Sequence, residues 1–278
     1  MKKIIAAFDG LRFSESTLRE AISLARQHNA HLVGVFLQEF VHTGFAVFEA
    51  LVVQSAGGKE MVKQLDEKDT LAIKTSISLF QQSCQEAGIN YSIHRDKHTA
   101  LRELLHESIF ADLLVIDRYE SFSSLEENIP GWFMKNLLHG VQCPVWLTSK
   151  KENLPKRLVF LYDGEPSSIY AMKMFTYLFP EMSGKEVKVL AMRSGTLDLH
   201  LPDNKLVQEW MKRHYTHASY KVVAGDRDEL LTLLKEEGPE VLLVTGAYDR
   251  SKPSMWLRPS LADTLLQKIK APLFLAHP

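Results

Sequence analysis

The chain has 278 residues, 45% of them hydrophobic and 24% charged, with a formal net charge of -1. That balance excludes a disordered tail and a dedicated nucleic-acid binder, which would carry a basic excess. Cys84 and Cys143 give neither a disulfide framework nor a thiolate metal spacing, and no run approaches the ~18 consecutive apolar residues of a membrane span.

Met1-Lys2-Lys3 leads straight into a strand-like run of about five apolar residues, shorter than the ~7–15 of a secretory signal, so a cytoplasmic location is expected. That run, KIIAAFDG (3–10), ends on Asp9-Gly10. A long stretch, 38–88, follows. It holds the apolar segment FAVFEALVV (45–53), then Gly57-Gly58, then Ile73, Ile77, Phe80 and Cys84 on one helical stripe, with Gly88 placed to end the helix. DLLVIDRYES (112–121) and an apolar strand after Cys143-Pro144 complete this half. The polar SKKENLPKR (149–157), with Pro155, reads as a linker, so domains are expected over 1–150 and 151–278.

The second half repeats the first. RLVFLYDG (157–164) matches KIIAAFDG, and VLLVTGAYDR (241–250) matches DLLVIDRYES. Asp9 to Asp163 and Val33 to Val187 share a spacing of 154, whereas Tyr91 to Tyr220, Leu101 to Leu230 and Tyr119 to Tyr248 share 129, which leaves 25 extra residues in the first half. In the second half, strands are predicted near 157–162, 185–192, 219–224, 240–245 and 272–276. Helices are predicted near 166–179, 226–237 and 260–269, with a further crossover near 200–216. Runs that are apolar throughout suit strands covered on both faces, and strand-helix alternation implies parallel sheets with right-handed crossovers.

In such a sheet, ligands bind beyond the carboxyl ends of the strands. Candidate positions are Asp9-Gly10 and Asp163-Gly164, the loop after the fourth strand, and the N-terminus of the last helix. An aspartate after the first strand can accept from an adenine amino group or a ribose hydroxyl, and equally can cap the next helix. His94/His98 and His214/His217 have metal-like spacings without clear acidic or thiol companions, and no metal site is expected. No Ser-His-Asp set is legible, and Trp132 and Trp256 read as packing or interface anchors.

In these residues the chain resembles the universal stress protein (UspA) family, once per half and over nearly its whole length. In that family the loop after the fourth strand reads G-x-x-G, nine residues, then G-[ST], and cradles the phosphates of ATP. The second half matches at Gly246 and Ser260 but has Asp249 and Pro259 in place of two glycines. The first half keeps only Gly131, with Asp117 and Glu120 at the start of its loop. Carboxylates repel phosphate: two like charges about 4 Å apart cost roughly 4 kcal/mol at an effective dielectric constant of 20. Arg250, Lys252 and Arg258 offset part of this in the second half.

The resemblance implies two Rossmann-like, flavodoxin-like domains of five parallel strands each. These would pack as an intramolecular pseudo-dimer in which strands 144–148 and 272–276 meet. It also implies a nucleotide site built from Asp163, Gly164, Val189, Gly246, Asp249, Arg258 and Ser260, with ATP as ligand and Mg²⁺ beside its phosphates. Three functions stay open. One is a non-enzymatic stress-response regulator working through unidentified protein partners, with a degenerate nucleotide site. The second is an ATP-binding protein, with or without slow hydrolysis. The third is a protein that holds a small apolar ligand beneath 45–53.

Overall fold

Lys3–Asp9 forms strand β1, buried along nearly its whole length, as expected of a strand covered on both faces. This computed structural model describes residues 1–37, 58–96, 100–122, 129–149, 155–193, 200–238, 240–246 and 261–278. FAVFEALVV, which carried the apolar-ligand reading, lies outside them. By contact density the chain divides into two compact units, Met1–Cys143 and Pro144–Pro278.

In the first unit β1 is followed by helix α1 (Glu15–His28), β2 (His31–Leu37), α2 (Gly58–Glu86), β3 (Tyr91–Asp96), α3 (Ala100–Ser108), β4 (Leu113–Asp117) and α4 (Trp132–Gly140). The strands are parallel in the order β3-β2-β1-β4. Local chemistry sets the helix ends. The Ser14 hydroxyl accepts from the Thr17 N–H to open α1, and Asn29 closes it in the left-handed region at φ 47°. α1 turns Leu18, Ala21, Leu24 and Ala25 inward, against β1, β2 and β4. Gly88, at φ 64°, ends α2 as its position predicts, with the amides of Gly88 and Ile89 donating to the carbonyls of Gln85 and Cys84.

The second unit contains β5 (Val145–Thr148), β6 (Arg157–Tyr162), α5 (Pro166–Leu178), a 3₁₀ turn (Pro180–Gly184), β7 (Glu186–Arg193), α6 (Asn204–His214), β8 (His217–Ala224), α7 (Arg227–Glu236), β9 (Val241–Gly246), α8 (Leu261–Lys268) and β10 (Leu273–Ala276). Its strand order is β5-β10-β9-β6-β7-β8. Five strands are parallel, and β5 runs antiparallel to β10, with Trp146 opposite Phe274. The strands at 144–148 and 272–276 therefore pair, and β5 falls among the residues grouped with the second unit.

The register corrects two of the spacings read from the sequence. Ile4 pairs with Leu113 and Leu158 with Leu242, which keeps the spacings of 154 and 129 at those strands. Ile5, however, pairs with Val33, while its counterpart Val159 pairs with Lys188 rather than Val187. Leu32 pairs with Tyr91, while Val187 pairs with Ala218, two residues before Tyr220. Apolar strand runs offer several matches one or two residues apart, and only the ladder decides among them.

Candidate functional site

The carboxyl ends of β1 and β4 gather three acidic side chains of the first unit, Asp9 and Glu120 buried and Asp117 half-buried. Asp9, 3% exposed, accepts from the Leu11 amide at 2.8 Å and from the Arg12 guanidinium at 3.2 Å. Asp117 accepts from the Ser14 hydroxyl at 2.7 Å and from the Tyr119 amide at 2.9 Å. Glu120, 9% exposed, accepts from the amides of Ser121 and Phe122 through Oε1. Burial first, then the neighbouring charge of Asp9, pushes the Glu120 carboxyl up to about 7. Phe122 follows at φ 50° with its ring 4.6 Å from that of Phe133. Arg118 is also buried, its guanidinium carbon 5.8 Å from the Tyr119 ring centroid.

Helix α2 closes over these strand ends. A Cβ placed on Gly10 would lie 2.8 Å from Ile73 Cγ1, and the Ser76 hydroxyl donates to the Gly10 carbonyl at 3.0 Å. One turn further along, a Cβ on Gly34 would lie 2.7 Å from Phe80 Cζ. The absent side chain lets the Phe80 ring sit directly on β2, where it joins Phe8 and Phe36. Gly131 precedes α4 without a side-chain cap, and Trp132 is 59% exposed.

In the second unit, Asp163, Gly164 and Gly246 come to one end of the sheet, since β6 and β9 are neighbours. Asp163 is exposed and accepts from the Glu165 amide at 2.9 Å, so it stabilises the turn into α5. Gly164 has φ 88°, with Pro202 packed against it. A Cβ on Gly246 would lie 2.7 Å from the backbone carbonyl of Ser167, so close packing of β9 on α5 already requires glycine there. Val189 lies within β7, opposite Phe160 and Tyr220, fully buried and four residues short of the strand end. Asp249, Arg258 and Ser260 lie outside the described residues, as do Arg250, Lys252, Trp256 and Pro259.

The histidine pairs also resolve in part. His94 stands on β3 and contacts Glu107 of α3, which also pairs with Lys3 at 3.7 Å, so it does have an acidic companion. This partner comes from the next helix and could not be read from spacing along the strand. His98 lies outside the described residues. His214 ends α6 with its ring 4.5 Å from that of Trp210, while His217 opens β8. Among the described residues no three His, Cys, Asp or Glu side chains come together as metal ligands, and no helix is long and apolar enough to cross a membrane.

No protein-family model and no curated protein matches the chain. Solved structures do. A universal stress protein from Archaeoglobus fulgidus aligns over 99% of this chain and 98% of its own with a TM-score of 0.69 at 12% identity. A universal stress protein from Pseudomonas aeruginosa aligns over 99% and 92%, with a TM-score of 0.60 at 12% identity. The chain has the universal stress protein fold. A protein of unknown function from Pseudomonas aeruginosa shares this fold over 100% of the chain and 93% of its own, at a TM-score of 0.63 and 12% identity. These alignments run over nearly the whole of this chain, both halves included. At this identity they establish architecture and leave the choice of ligand to the residues themselves.

Proposed function

We propose that the protein is a non-enzymatic stress-response regulator that acts through protein contacts, and that nucleotide binding is lost from its first half. The observation that supports this reading is the closure of the first unit's strand ends. Ile73 and Ser76 of α2 cover Gly10, Asp9 and Glu120 lie buried at the ends of β1 and β4, and Asp117 is half-buried beside them. A polyphosphate entering there would displace the helix and meet carboxylates in a poorly solvated setting, where repulsion is strengthened. The residues of this half therefore do not fit ATP. In the second half, Gly246 has a sufficient packing role at the β9–α5 contact, so its match to the phosphate motif carries little weight for a ligand.

Calorimetry with ATP and Mg²⁺ tests the proposal. The expected outcome is no saturable heat at micromolar concentrations. Micromolar binding that disappears in Ser260→Ala would replace this reading with an ATP-binding protein that uses the second-half loop. Gly246→Ala is not a clean probe, because the added methyl group would strain the β9–α5 contact whether or not ATP binds.

A further inference from the structure

Away from the carboxyl ends of its strands, the second unit has a groove of about 540 Å³ where α5, the 3₁₀ turn and the end of α6 converge on the start of β8. Tyr177, Pro180 and Tyr215 give it apolar surface, and the Tyr215 hydroxyl is hydrogen-bonded to Thr176 at 2.7 Å, which fixes that part of the wall. Lys212, Arg213 and His214 supply the rest of its character. Lys212 and Arg213 are exposed and form no ion pair among the described residues, and no carboxylate lines the groove among them.

Cations in the last turn of a helix complement its dipole, and that alone would account for Lys212 and Arg213. It does not account for the apolar surface beside them. Tyr177 is 58% exposed and Leu206 65%, and the Trp210 ring packs at a tilt against His214 along the same face of α6. From Leu206 to His214 this face runs about 12 Å at ~1.5 Å per residue. That length matches three or four residues of extended chain at ~3.3 Å each. An aromatic ridge flanked by unneutralised cations is complementary to carboxylates interspersed with apolar side chains.

We propose that this groove and the adjoining face of α6 dock an acidic, aromatic-bearing peptide segment of a partner protein. The proposal rests on the reading of this protein as a contact-mediated regulator and supplies the chemistry of the partner. The ATP titration tests that reading separately, because nucleotide binding beyond the far end of the sheet leaves this surface unchanged.

The experiment uses the full chain, ¹⁵N-labelled, with the Trp210 indole resonance assigned through Trp210→Phe. The probe is a twelve-residue peptide of three Asp-Phe-Asp-Glu repeats, with a Lys-Phe-Lys-Lys repeat as its control. A saturable shift of the Trp210 indole with the acidic peptide alone is expected. Lys212→Glu combined with Arg213→Glu weakens the binding about tenfold or more, and added salt weakens it as well. Tyr177→Ala, which leaves the charges in place, also weakens it, and far-UV circular dichroism confirms that both variants fold. Three outcomes overturn the proposal. One is no shift at millimolar peptide, and another is equal binding of the basic control or of the charge-reversed variant. The third is concentration-dependent self-association that the same substitutions abolish, which would make a second copy of the chain the occupant.

Discussion

Glu120 carries a carboxyl group into the interior at the end of β4, within the fields of Asp9 and Asp117, and its pKa of about 7 exceeds the ordinary 4.5. Between those values the folded chain holds a proton that the unfolded chain has released. Stability from this group is therefore complete below about pH 4.5 and is lost as pH rises through about 7. Glu120→Gln keeps an acceptor for the Ser121 and Phe122 amides and removes the charge. Urea denaturation at pH 8 should find it more stable than the parent by about 2 kcal/mol, with little difference at pH 4.5. Identical pH slopes for the two proteins would show that Glu120 is ionised at no cost. The sequence exposed the acidic departure from the phosphate motif at this position, but not its burial. Whether a carboxylate faces water or core depends on α2 and on the loop geometry, and neither is encoded in the motif spacing. Gly246 teaches the converse: a glycine that fits a ligand pattern also fits a backbone contact 2.7 Å away, and the pattern cannot separate the two.

Helix α1 shows how one element ties into its neighbours. The Ser14 hydroxyl accepts from the Thr17 amide and donates to Asp117, so a single side chain caps α1 and joins it to the end of β4. Ser14→Ala should lower stability by about 1–2 kcal/mol, at the upper end for a cap because the Asp117 bond is lost too. Amide hydrogen exchange should show the loss of protection centred on Thr17 and Leu18, and unchanged exchange there would mean that water replaces the hydroxyl without cost. The stripe of α2 was legible for a simple reason. Ile73, Phe80 and Cys84 follow the helical period, and all three are buried. Ser76 was not, since its hydroxyl reaches the carbonyl of Gly10, 66 positions away, as well as that of Ala72 in its own helix. Strand identities were likewise readable from apolar runs, whereas the register of β2, β3, β7 and β8 was not, because Val, Leu and Ile neighbours align almost equally well at adjacent offsets.

For the whole chain, the internal repeat revealed the architecture, and the polar segment around 149–157 suggested where one half ends and the next begins. A polar linker marks where the chain is solvated. It does not say which core the preceding strand joins. All four residues of β5 are buried, its ladder to β10 pairs Leu147 with Leu273 and Val145 with Leu275, and the Trp146 ring lies 5.5 Å from that of Phe179 in the second unit. A fragment starting at residue 151 would remove β5, uncover the β10 edge and delete a fully buried tryptophan, whose loss alone is of the order of 3–5 kcal/mol. Pro144–Pro278 should therefore unfold in one cooperative thermal transition, while 151–278 should melt well below it or fail to remain soluble. Within Pro144–Pro278, Trp146→Ala should move the transition part of the way toward that of the shorter fragment, because the tryptophan is the largest of the side chains that β5 buries. Equal melting of the two fragments would mean that β5 adds nothing to the second core, and the unit would then begin at the linker.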